Sequence, residues 1–155
     1  MWPFTSKPKP TLPPRRIITG PTCAALVRGA LMGKLLPNFA YYPYKVRMAC
    51  PDKMTFAAAV RKAWNPWRED IWECEDQARA VVHAAQLAAA NEGCSWACGI
   101  LRGDPPPNVD GKGNLHMYVW VILAEGINLS FALYDPGTNG WAELKFLTRV
   151  DLATT

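Results

Sequence analysis

The chain has 155 residues and a mass of 17.2 kDa, enough for one domain with its own core. Half of the residues are apolar and 19% are charged, which excludes an intrinsically disordered chain, and no apolar run approaches the ~18 residues of a membrane span. The net charge of +4 conceals an asymmetry: residues 1–51 hold eight Lys or Arg and no acid, whereas residues 52–155 hold nine basic and thirteen acidic side chains.

Residues 1–21 contain six prolines, which remove backbone donors and fix φ, so they predict an extended, basic tail ahead of one α+β domain over residues 22–155. Met1–Phe4 leads into a proline-broken basic stretch rather than an apolar signal-peptide core, so a cytoplasmic location is expected. Cys23–Leu36 has helical spacing weakened by its glycines, and Pro37–Tyr44 reads as a tyrosine-dense loop. Thr55 is expected to cap a helix that runs to Trp64 and stops at Asn65–Pro66. Trp72–Asn91 is filled with alanine, carries Glu73, Glu75 and Asp76 at its start and meets Gly93 at its end, which predicts a helix. Ser95–Leu101 reads as a strand, Asp104–Gly113 as an exposed loop and Leu115–Ala124 as a β-branched, aromatic strand. A turn at Glu125–Gly126 leads to a return strand over Asn128–Tyr134, a tight turn over Asp135–Gly140 and a short strand over Trp141–Phe146. Helices followed by a run of strands give an α+β fold, with N-terminal helices packed on a small antiparallel sheet.

The basic first third either lies on the acidic remainder or meets an acidic partner. No block of five like charges occurs and aromatics are not interleaved with the charges, so neither nucleic acid nor a membrane is expected as a partner. Five cysteines without a CxxC pair argue against a disulfide framework and a zinc ribbon, and fit a reducing compartment. Cys74 falls at a helix start, where backbone N–H groups stabilise a thiolate, while the acids around it oppose that shift. His83 lies nine residues on, half a turn away on the same helix, which leaves His116 as the base that could serve Cys74. Asp135 ends the strand that returns from the His116 strand, so Cys74, His116 and Asp135 stand in the chain order nucleophile, base, orienter. The plain alternative is a small buried cysteine, a structural strand histidine and an Asp-Pro-Gly turn.

The segments WECEDQA, LHMYVWVI and LYDPGTNGW, over about residues 65–146, resemble the papain-like cysteine protease domain of the fairy-ring mushroom agglutinin type, whose small relatives occur in bacteriophages. The resemblance implies a papain-like fold and a cysteine peptidase or acyl-transfer enzyme with Cys74 as nucleophile, His116 as base and Asp135 as orienter. It departs from the family's pattern at Asp135, where Glu is usual, and at Met117, where a small residue is usual. The positions for an oxyanion-stabilising amide hold Trp67 and Arg68, which leaves Asn65 as the nearest candidate. No cofactor is required, but the resemblance admits a divalent cation such as calcium on Glu75 and Asp76 together with Asp135. It also implies a protein or peptide substrate, or a host protein, in the host-cell cytoplasm. The alternative from another class is a non-catalytic module on the same scaffold that binds a host protein or a glycan.

Overall fold

The computed structural model describes residues 15–42, 47–63, 74–104, 116–147 and 149–154. In chain order these form β1 (Arg16–Thr19), α1 (Gly20–Ala30), β2 (Leu35–Tyr42), β3 (Arg47–Cys50), α2 (Lys53–Val60), α3 (Cys74–Asn91), β4 (Cys98–Gly103), β5 (His116–Glu125), β6 (Asn128–Asp135), β7 (Gly140–Ala142) and β8 (Val150–Thr154). Short 3-10 turns follow α2 at Arg61–Ala63 and β7 at Leu144–Phe146. The α+β class holds. The boundary expected at residue 21 does not, because Arg16–Thr19 already forms β1 and Pro21 lies in the first turn of α1. Thr19 caps that helix through the Thr22 N–H, and proline at a helix start lacks only a donor that has no intrahelical partner anyway.

The main sheet has six strands in the order β2-β8-β4-β5-β6-β7, and β1 pairs with β3 in a separate antiparallel ribbon. Five of these strands form antiparallel pairs, but β2 runs parallel to β8, so the sheet is mixed rather than wholly antiparallel. Pro37 lies within β2, where a loop was expected. Its missing N–H is tolerated because β2 is an outer strand. The helix expected to reach Leu36 stops at Ala30. Asp52, not Thr55, caps α2: its carboxylate accepts the Thr55 backbone N–H at 2.8 Å.

Each face of the sheet has its own core. Tyr118, Trp120 and Ile122 of β5 pack with Val27 and Leu31 beside α1, while Met117, Val119, Val121 and Leu123 pack with Phe56 of α2 and Ala78, Val81, Ala85 and Ala89 of α3. This is the two-residue alternation of a strand covered on both faces. The alanine stripe of α3 lets helix and sheet approach closely. β5 and β6 form a hairpin in which Glu125 faces Asn128, and Gly126 takes a φ of 60°, the left-handed conformation such a two-residue turn needs. Among the described residues, no helix is long and apolar enough to cross a membrane.

Candidate functional site

The β6–β7 turn stands at the end of the strand pair where β5 begins. Residues facing each other across β5 and β6 are Val119 and Tyr134, so the register brings the start of β5 against the turn that follows Asp135. There His116 Nε2 meets Asp135 Oδ1 at 2.9 Å. The same oxygen accepts the Gly137 backbone N–H at 2.9 Å. The Asp135 side chain is 4% exposed and that of His116 14%. Burial alone would raise the Asp135 carboxyl. The hydrogen bond and charge of His116, the Gly137 N–H and the Thr138 side chain outweigh it and hold the group below the usual carboxylate range. Tyr118 stands edge-on to the His116 ring, 4.7 Å between centroids, and gives its hydroxyl proton to the Asp104 carbonyl at 2.7 Å. Burial first, then the charges of Asp135 and Asp104, raise the Tyr118 hydroxyl well above its ordinary value.

α3 approaches this cluster with its first turn. Gln77 is 3% exposed, the one buried polar residue on the stripe otherwise made by Ala78, Val81, Ala85 and Ala89. A side-chain carbon at Gly137 would stand 3.8 Å from Gln77 Oε1 and 3.8 Å from His116 Cε1, so helix, strand and turn converge there. Cys74 lies one turn before Gln77, half-buried against the core beneath α3. Among the described residues His116 hydrogen-bonds to Asp135, and Cys74 makes no hydrogen bond to His116. His83 is exposed on the outer side of α3.

Beyond the turn, Trp141 of β7 packs half-exposed against Phe56 and Tyr134, with ring centroids 5.8 Å and 5.5 Å away. Lys53 Nζ lies 5.1 Å from the Trp141 ring centre. Asn139 takes a φ of 53°, a conformation its short polar side chain tolerates, and accepts the Tyr134 hydroxyl. Gln77, Gly137, Asn139 and Trp141 were missed in the sequence. Trp141 and Gly137 were read there only as strand and turn residues.

Glu75 pairs with Arg79 one turn on, and Asp76 is exposed. Among the described residues no three His, Cys, Asp or Glu side chains form a metal-holding group. Asn65, the candidate oxyanion amide, lies outside the described residues.

No family model matches the chain, and no curated protein matches it. Its fold is shared with solved structures. One is described as a PSL1a–E64 complex: 17% identity, TM-score 0.69, covering 90% of this chain and 51% of that one. Another is Polyporus squamosus lectin bound to the human-type influenza-binding epitope Neu5Acα2-6Galβ1-4GlcNAc: 17% identity, TM-score 0.64, covering 90% of this chain and 49% of that one. The chain therefore spans about half the length of these structures. These findings overturn the sequence resemblance to a papain-like cysteine protease domain. One neighbour carries a lectin's name, no family model supports the suspected type, and the expectations of a protease-like hydrolase, a bacteriophage origin and a catalytic triad fall with it. The short motifs misled because a helix-start cysteine, a strand-opening histidine and an Asp-Pro turn are each common solutions to local structural needs. At 17% identity, the likeness to these structures establishes the fold alone.

Proposed function

We propose that the chain is a non-catalytic binding module that recognises a glycan at the β6–β7 turn. The observation that carries this reading is the fold shared over 90% of the chain with a lectin whose solved structure holds a sialylated trisaccharide. The chemistry of the turn supports the location. Sugars present hydroxyls to fixed polar groups and C–H faces to aromatic rings. Here a half-exposed Trp141 ring, backed by Phe56 and Tyr134, stands on one side of the turn and the fixed His116–Asp135 pair on the other. Lys53 beside Trp141 adds a positive charge suited to an acidic sugar. The partner is a glycan, free or carried on a host protein. A peptide substrate finds no support in the neighbours.

NMR titration with Neu5Acα2-6Galβ1-4GlcNAc and with unsialylated Galβ1-4GlcNAc tests this reading. Resonances of His116 and of Gly137–Trp141 are expected to move, more for the sialylated sugar, and Trp141→Ala should weaken binding about tenfold or more. No shift with either sugar at millimolar concentration sinks the proposal.

A further inference from the structure

The contact between His116 and Asp135 settles which ring nitrogen carries the hydrogen. An ionised carboxylate only accepts, so the Nε2 that faces Asp135 Oδ1 at 2.9 Å is the donor. In the neutral ring Nδ1 is then a lone-pair acceptor. The arrangement depends on how closely the turn approaches the carboxylate. Gly137 donates its backbone N–H to the same oxygen at 2.9 Å. A Cβ at residue 137 would stand 3.3 Å from Asp135 Oδ1, closer than such atoms ordinarily come, and 3.8 Å from both Gln77 Oε1 and His116 Cε1. The glycine is not required by its dihedral angles. The described glycines with a left-handed φ are Gly33, Gly93 and Gly126. At residue 137 proximity matters instead, since a Cβ there would push the Asp135 carboxylate back by a few tenths of an ångström; Gly137 is exposed to solvent, while Asp135 and Gln77 behind it are buried.

We propose that Gly137 is a positioning residue: its missing side chain lets the turn close on Asp135, which fixes His116 as the Nε2–H tautomer and leaves Nδ1 to accept a hydrogen bond from a ligand hydroxyl. The inference rests on the binding reading and deepens it by naming the ligand chemistry, a hydroxyl donor beside the turn. Gln77 forms the buried polar floor behind the glycine, and Tyr118 stands edge-on to the ring, so the imidazole is bounded by two fixed groups.

The test is nitrogen-15 NMR of the His116 ring in the full chain at neutral pH, alone and with Neu5Acα2-6Galβ1-4GlcNAc. The Nε2–H form should dominate in the native protein. In Gly137→Ala the second tautomer should appear, the Asp135 carboxyl should titrate closer to the ordinary carboxylate range, and sugar affinity should fall about fivefold, as for one neutral hydrogen bond. Asp135→Asn, which keeps the shape and removes the charge, should release the tautomer in the same way and provides the result if Gly137→Ala does not fold. A Gly137→Ala or Asp135→Asn ring spectrum unchanged from the native one overturns the proposal. If the native protein binds no sugar, the ligand part is overturned together with the binding reading, and the ring spectra still decide whether Gly137 positions His116.

Discussion

The two ends of α3 hold polar clusters of opposite design. At the C-terminal end the Arg15 guanidinium bonds both Glu92 oxygens, at 3.0 Å and 2.9 Å, Asp52 at 2.9 Å and the Thr55 hydroxyl at 3.4 Å. Glu92 also accepts the Trp96 indole N–H at 3.2 Å, and Asp52 caps α2. These bonds join the start of β1, the start of α2 and the end of α3, and they run within the chain. At the N-terminal end Asp135 commits one His116 nitrogen, and the residue in front of the pair is an exposed glycine. Several long-range cross-links on one guanidinium make a structural clamp. A fixed ring behind a residue without a side chain is the surface that we propose reads a ligand. The clamp also decides between the two readings of the basic first third for one residue: Arg15 lies on the acidic remainder of the chain.

The comparison breaks most readily at Arg15. Its side chain is 13% exposed and that of Glu92 11%, so Arg15→Ala leaves a nearly buried carboxylate without its cation. The expected loss is about 3 kcal/mol, seen as a fall in the thermal midpoint of roughly 6–12 °C with sugar binding unchanged. An unchanged midpoint would make the clamp an ordinary surface ion pair. His116→Ala likewise leaves a buried carboxylate, Asp135, without its main partner and should cost about 3 kcal/mol, but unlike Arg15→Ala it should also lower sugar binding tenfold or more. Sugar binding unchanged in His116→Ala would erase the distinction between the ends. The smallest effect is on acid stability. Burial would raise the Asp52 carboxyl, but the Thr55 hydroxyl and backbone N–H and the Arg15 guanidinium lower it to about 2, and Glu92 is lowered with it, chiefly by Arg15. With folded values below the unfolded ~4, the unfolded chain binds more protons, so this stability is complete above pH ~4 and disappears as pH falls toward 2. Denaturant melts across that range should be less steep in pH for Arg15→Ala than for the native chain.

Elements with strong local signals were legible in the sequence. Alanine content and first-turn acids located α3, and β-branched and aromatic runs about a glycine turn located β5 and β6. β1, β3 and β8 were missed because each is only four or five residues long and exists through a distant partner. Arg16 pairs with Cys50, and Val150 with Leu35 and Gly103. β2 was hidden by Pro37, which reads as a loop signal unless the strand is known to be an edge. At the site, the approach of His116 to Asp135 was legible from chain order and strand pairing. The role built on it was not, since a triad is a statement about three atoms in space and only two of these groups are joined. Gln77 had a readable signal, one amide on a stripe of alanine and valine, whereas Gly137 resembled any turn glycine until its neighbours were placed.

Met117–Leu123 of β5 is buried without interruption, with a core on each face and a paired strand along each side. Amide protons there should exchange with solvent only when the whole domain opens, while those of the Asp135–Gly140 turn exchange through local fluctuation. His116 is attached directly to the segment expected to exchange slowest, and Gly137 belongs to the turn expected to exchange faster. If the proposed binding reading holds, a ring held by the slow segment meets the sugar beside the faster turn, and bound sugar should register first as slowed exchange at the turn.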